Sequence, residues 1–395
     1  MTPKKVAFQG PVGKRNAILM GWKLLVSFTV MLCVVAIMRM NSYYSGVSSS
    51  SSLSSSRKID SVLSTENIFG DKSLRPVESP KVAFLFLVKR DMPLDFLWDN
   101  FFQNADVANF SIYIHSTPGF EFDESTTRSR FFYGRQIRNS VQVGWGEVTM
   151  IEAERLLLAA ALEDSCNQRF VLLSESCVPL YNFTYVYNYL MASPRSFVDS
   201  FIDTKESRYN KMMSPVIAKS NWRKGSQWIS LIRRHAVVIV NDSIVFENFQ
   251  KHCKRHSSIG VQSKGELNVK LKKQRDCVPD EHYVQTLLTL HGLQDELERR
   301  TLTYTEWAAT KSDNHAWHPM TFSFRNAGMQ KINKIKEINH MYFETEKRVE
   351  WCKVDSVRVP CFLFARKFSR GAAMHLLADE LVTTIDEDLQ QSSQS

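Results

Sequence analysis

Asp280 and Glu281 stand side by side in CVPDEHYVQTLLTL, residues 277–290, between a Cys-Val-Pro lead and an apolar run. Adjacent carboxylates at the head of a helix have two readings. Pro279 suits a helix start, where its missing N–H is not needed, and acids in the first turn complement the helix dipole. Val284, Leu287 and Leu288 then form the inward stripe, and the acids only stabilise the helix end. Alternatively, one carboxylate is held rigidly at the mouth of a buried helix, facing a cleft, where it can take a proton as a general base. A second stretch with chemical potential is CFLFARKF, residues 361–368. Arg366 and Lys367 directly follow an apolar strand, and successive strand side chains point to opposite faces, so one cation can reach a cleft. A cation at a strand end suits a phosphate.

Other constellations are weaker. The run at 251–275 carries Lys251, Lys254, Arg255, Lys264, Lys270, Lys272, Lys273 and Arg275 against Glu266 alone. It reads as a solvated loop or as a loop that attracts an anion. HCKRH, residues 252–256, offers at most three zinc ligands, and Cys253 has disulfide partners available, so no metal site is expected. The Asp-Glu-Asp at 386–388 has an Asp-x-Asp pattern but lies in a polar tail. GPVGK, residues 10–14, lacks phosphate-loop spacing.

The elements that must position these residues begin at Lys81. KVAFLFLV (81–88), FSIYIH (110–115) and RFVLLSES (169–176) read as strands, with helices over PLDFLWDNFFQ (93–103) and TMIEAERLLLAAALED (149–164) between them. Alternation of this kind implies an α/β fold with a mostly parallel sheet. Ligands of such sheets sit beyond the carboxyl ends of strands, which points at His115, at Ser174 and Glu175, and at VGWGE (143–147).

The hydrophobic fraction of 44% is that of an ordinary globular chain. The formal charge of +9 suggests nucleic acid until it is located: residues 1–40 hold +6 and no acid, leaving +3 for the rest. No nucleic-acid partner is expected. LLVSFTVMLCVVAIM (24–38), with its flanks, reads as one uncleaved membrane-spanning signal anchor over 17–40. Its basic lead keeps residues 1–16 in the cytosol and sends the remaining chain to the lumen. Serine-rich residues 41–79 read as a flexible stem, 80–377 as the lumenal domain and 378–395 as a polar tail. Outside the span, Cys166, Cys177, Cys253, Cys277, Cys352 and Cys361 make an even set that could pair completely. Acceptor sequons at Asn109, Asn182 and Asn241 fit an oxidising, glycosylating compartment.

Four segments in order, VLLSESCVPLYNF, KGSQW, CVPDEHYVQTLL and CFLFARKFS, resemble the core-2/I-branching β-1,6-N-acetylglucosaminyltransferases, above all their plant relatives. The resemblance covers roughly residues 80–370. It implies a GT-A-like α/β fold in a Golgi type II membrane protein. It implies an inverting, metal-independent transfer from a UDP-sugar to a glycan or glycoprotein hydroxyl, with no cofactor. Glu281 falls on the family's base and Lys367 on its phosphate-binding lysine. Arg325 is the expected second cation, and His115 the further donor-side residue. Glu175, Gln227 and Trp228 fall on the acceptor side, Trp228 either stacking on a sugar or packing in the core. Ser116 stands where animal enzymes carry an acid for the nucleotide base, which leaves the donor open among UDP-N-acetylglucosamine, UDP-xylose and other UDP-sugars. A non-catalytic lumenal glycan-binding or scaffold protein is the alternative from another class, and a lumenal hydrolase a third. The oligomeric state is not legible.

Overall fold

A computed structural model describes residues 79–205, 208–253, 277–307, 319–354 and 356–379. The expected cytosolic tail, anchor, all but the last residue of the stem, most of the basic run and the polar tail beyond Asp379 lie outside the described residues. Among those described, no helix is long and apolar enough to cross a membrane.

Strand β1 (Lys81–Leu87) shows why its sequence is apolar at every position after Lys81. Val82, Phe84 and Phe86 enter one core, while Ala83, Leu85 and Leu87 enter another on the opposite face. Strands β2 (Phe110–His115) and β3 (Asn167–Ser174) flank it, both parallel. The strand expected at 169–176 is thus shifted two residues toward the N-terminus. Next comes β8 (Ser230–Ile232), antiparallel to β3 and to β5 (Ser196–Phe197), and β5 pairs in parallel with β9 (Leu297–Glu298). The order is β2-β1-β3-β8-β5-β9, with β8 alone reversed, so the mostly parallel sheet is present. Helix Arg233–Asn241 follows directly from β8.

Helices cover both faces. Helix Asp95–Gln103 buries Leu97, Trp98, Phe101 and Phe102 against the Phe84 face. Phe84 meets Phe102 edge-on at 5.2 Å and Phe86 meets Trp98 at 5.0 Å. Each such fully buried side chain contributes about 1.5–3 kcal/mol. The opposite face takes helix Thr149–Leu162 and helix Tyr283–Leu290, the latter buried from Tyr283 to Thr289.

A small second sheet carries the cations to the main one. Strand β15 (Phe364–Arg366) lies between β10 (Thr303–Thr305) and β4 (Val178–Pro179). Because β4 follows β3 after only three residues, Arg366 and Lys367 arrive beside the carboxyl end of β3. Strands β6 (Phe201–Ile202) and β7 (Arg223–Lys224) pair antiparallel. Two hairpins, β11 (His340–Phe343) with β12 (Arg348–Trp351) and β13 (Lys353–Val354) with β14 (Val357–Arg358), complete the strands.

Among the described residues, Cys166 and Cys177 are not bridged to each other. The disulfides are Cys253–Cys277 and Cys352–Cys361. Cys166 precedes β3 and Cys177 follows it, so roughly 25 Å of strand separates them. The Cys177 thiol lies 3.3 Å from Ser174 Oγ inside the core. Of the sequons, Asn241 is exposed, Asn109 half-buried, and Asn182 caps helix Phe183–Ala192, its Oδ1 accepting the Tyr185 N–H at 2.9 Å.

Candidate active site

Glu281 lies in a 3-10 turn, Pro279–Glu281, and not in the first turn of the buried helix. His282 intervenes with φ −129, and the helix begins at Tyr283. The two acids thus stand just before the helix and not within its first turn. The turn closes when the Glu281 N–H donates to the Val278 carbonyl at 3.2 Å and the His282 N–H donates to Pro279 at 3.1 Å. One carboxylate oxygen of Glu281 is ion-paired with Lys224, while its side chain remains 27% exposed. A charged, partly open carboxylate on a tied-down turn is the geometry a base requires.

Lys224 reaches Glu281 because Gly225 lets three chain segments meet. The Gly225 N–H donates to the Glu281 carbonyl at 2.9 Å. A Cβ on Gly225 would lie 1.6 Å from the Asp199 carbonyl oxygen, so only glycine fits. Asp199 is half-buried, and desolvation raises its pKa to about 6 despite the Ser226 N–H, Lys224 and Arg299. Asp280 is 7% exposed. Burial first, and then the Glu281 charge, push it up to about 7, with Lys224 and Arg366 pulling the other way. Its Oδ1 has no hydrogen-bond partner among the described residues.

Arg366 ties this corner to the acceptor-side residues. Its guanidinium lies 4.4 Å over the Trp228 ring and within electrostatic reach of Cys177, Glu175 and Asp280. Four of the expected segments are thus brought together: Glu175 after β3, Trp228 before β8, the Pro279–Glu281 turn and the end of β15. Lys367, half-buried, has no partner for its ammonium group among the described residues. Arg325 is exposed on a neighbouring turn, whose Phe322 N–H donates to the Lys367 carbonyl at 2.7 Å.

Gln227 and His115 sit differently from expectation, and Trp228 follows one of its two readings, core packing. Trp228 is 7% exposed and Arg366 already covers one ring face, so it packs and presents no open stacking surface. Gln227 turns inward, its amide donating to Glu154 Oε1 at 2.8 Å. Glu154 is itself held well above the carboxylate range by burial and by Asp280. The His115 ring is buried, and its Nε2 accepts the Val141 N–H at 3.1 Å. Burial lowers its pKa to about 4, so it is neutral and supplies no charge for a phosphate.

Residues not singled out from sequence complete the site: Lys224, Asp199, Asp203 and the ring of His282. Lys224 left a sign, standing in KGSQW beside the obligatory glycine, and so did His282, directly after Glu281 in CVPDEHYVQTLL; Asp199 and Asp203 left none. A Ser196–His235–Glu296 line (2.7 and 3.0 Å) looks hydrolytic. Ser196 is fully buried and its Oγ accepts the Ile232 N–H, so it joins β5 to helix Arg233–Asn241 instead. Among the described residues, no three His, Cys, Asp or Glu side chains converge to hold a metal ion.

Comparison with known proteins meets this geometry. A family model described as Branch, Core-2/I-Branching enzyme, matches residues 82–336, from β1 through the Glu281 turn to helix Met329–Lys336. A rice protein (Oryza sativa subsp. japonica) named Glycosyltransferase BC10 is 50% identical over 312 residues, 78% of each chain. A solved structure of an active-site mutant of LgtC aligns with a TM-score of 0.34 and 9% identity over 78% of this chain and 99% of that one. With both Glu281 and Lys224 inside the matched span, the chain belongs to the core-2/I-branching enzyme family and is a glycosyltransferase.

Proposed function

We propose that this glycosyltransferase moves a sugar, N-acetylglucosamine by resemblance, from a UDP-sugar to a glycan hydroxyl with inversion and without a metal. Glu281 takes the proton of the acceptor hydroxyl as its oxygen attacks the anomeric carbon. The bond from that carbon to the phosphate oxygen breaks, and UDP leaves with the electron pair. The proton then passes from Glu281 to solvent. Lys367, with Arg325 on the adjoining turn, meets the charge that develops on the diphosphate. The frame is GT-A-like, in keeping with five strands running one way and β8 reversed. A Golgi type II placement is supported by the apolar stretch 24–38 behind a basic lead and by two disulfides suited to an oxidising lumen.

The observation that carries this reading is the charged, partly exposed Glu281 carboxylate held by Lys224 on a rigid turn. The test is UDP release from a panel of UDP-sugars with glycan acceptors, in EDTA. Wild-type turnover should persist in the chelator. Glu281→Gln should lose about 100- to 10,000-fold in kcat with its melting temperature intact. Turnover abolished by EDTA, or unchanged in the variant, would refute the mechanism. The donor that turns over fastest names the sugar.

A further inference from the structure

His282 follows the proposed base in sequence, yet it is fully buried and cannot touch a substrate. Its ring stacks on Trp222 at 4.5 Å and 19°, and Trp222 stacks in turn on Phe249 at 5.6 Å and 23°. The Nδ1–H donates to the Val278 carbonyl at 2.7 Å. That same carbonyl accepts the N–H of Glu281. On its far side, Nε2 faces Asp203 Oδ2 at 3.2 Å; both partners only accept, so the ring bonds both at once only as the imidazolium, a form that burial disfavours and the Asp203 carboxylate favours.

Asp203 is itself immobilised. Its carboxylate accepts from the Lys205 N–H at 3.1 Å, from Trp222 Nε1–H at 3.3 Å and from Arg208 at 3.2 Å. It follows β6, whose partner β7 carries Lys224. One hairpin therefore grips two consecutive residues. Lys224 holds the Glu281 carboxylate from the front, and Asp203 holds the backbone of the same turn from behind, through His282 and Val278. The hairpin is fastened to the following helix as well, the Arg223 N–H donating to Thr286 Oγ1 at 3.1 Å.

We infer that Asp203 and His282 are positioning residues that aim Glu281, acting through the Val278 carbonyl. The inference rests on the base role proposed for Glu281. A carboxylate orienting an imidazole is a familiar arrangement, but here the imidazole fixes a backbone turn and moves no substrate proton. A general base must stay within hydrogen-bond reach of its proton, and an error near 1 Å costs about 100-fold.

The test uses the full-length protein, with Glu281→Gln as reference, Asp203→Asn, and two His282 variants chosen to separate the ring's bonds. His282→Asn keeps an amide donor near the Nδ1 position and so preserves the link to Val278. His282→Gln reaches instead toward Asp203. Both lose the stack on Trp222, and His282→Asn, one methylene smaller, leaves the larger gap. The readouts are kcat and KM with the turning-over UDP-sugar, UDP affinity by calorimetry, and melting temperature. The expected result is a fall in kcat of between about 10- and 100-fold for His282→Gln, which breaks the Val278 link, and a smaller fall for Asp203→Asn, which leaves it in place, with UDP affinity within about twofold for both. His282→Asn should retain most of the wild-type kcat although it melts no higher than His282→Gln. If Asp203→Asn and His282→Gln turn over normally while Glu281→Gln is inactive, the inference fails and the base assignment stands. The inference also fails if UDP affinity falls in step with kcat, or if the two His282 variants lose kcat equally, since both mark a merely structural role. If no UDP-sugar turns over, or if Glu281→Gln is active, the base reading fails and the inference with it.

Discussion

Replacing Asp280 by Asn should make the protein's stability depend less steeply on pH. Burial and the Glu281 charge raise the Asp280 carboxyl from 3.8 to about 7. In the unfolded chain it ionises at its ordinary value. Between those two values the unfolded chain has released a proton that the folded protein keeps. The folded state therefore loses stability as pH rises through this window, and the loss levels off above about pH 7. A shift of roughly three pH units corresponds to about 4 kcal/mol, an upper figure for a fully desolvated group. An amide adds N–H donors where Oδ1 already lacks a partner, at about 1–3 kcal/mol, but that cost does not vary with pH. The signal is thus the difference between the two proteins, which should climb by up to about 4 kcal/mol in favour of Asp280→Asn from pH 4 to pH 8. Urea unfolding followed by tryptophan fluorescence at unit pH steps measures it. Parallel stability curves for the two proteins would refute the buried-acid reasoning.

Asp199→Asn should show the same sign with a smaller climb, about 3 kcal/mol and complete by pH 7, since Asp199 is raised only to about 6; a flat difference in the same urea series counts against it. Gly225→Ala should destabilise by more than the roughly 1–3 kcal/mol of ordinary overpacking, because the new Cβ meets backbone that a rotamer change cannot move. An unaltered melting temperature would show that the Asp199 segment yields freely. Lys367→Ala should weaken UDP binding by about 10- to 100-fold, the worth of one charge-assisted hydrogen bond. Calorimetric titration with UDP checks this, and unchanged affinity removes Lys367 from the phosphate site.

The sequence made the frame readable where burial is two-sided. Val82 to Leu87 is apolar at every position because both faces of β1 meet a core, and no turn geometry was needed to see it. The reversed β8 was hidden because three residues, Ser230–Ile232, carry no directional signal. The position of Glu281 was legible by resemblance, but not its local structure. Local rules extend the helix back to Pro279, whereas the His282 ring takes the Val278 carbonyl and φ leaves the helical region. Lys224 and Glu281 are 57 residues apart, and only the tertiary fold decides that they pair. Trp228 shows the converse: an aromatic beside a site looks like a sugar platform until its neighbour across the fold, Arg366, is known to occupy the ring.

The Cys253–Cys277 bridge has a consequence for how the Glu281 turn is anchored. The bridge joins the end of helix Ile244–His252 to a point four residues before Glu281, so the segment it closes, 24 positions from end to end, is tethered at both feet. The bridge therefore gives Cys277 a covalent path to the end of that helix that does not run through the intervening chain. The turn that holds the glutamate is thus moored to helix Ile244–His252 four residues upstream, whatever chain joins the two cysteines.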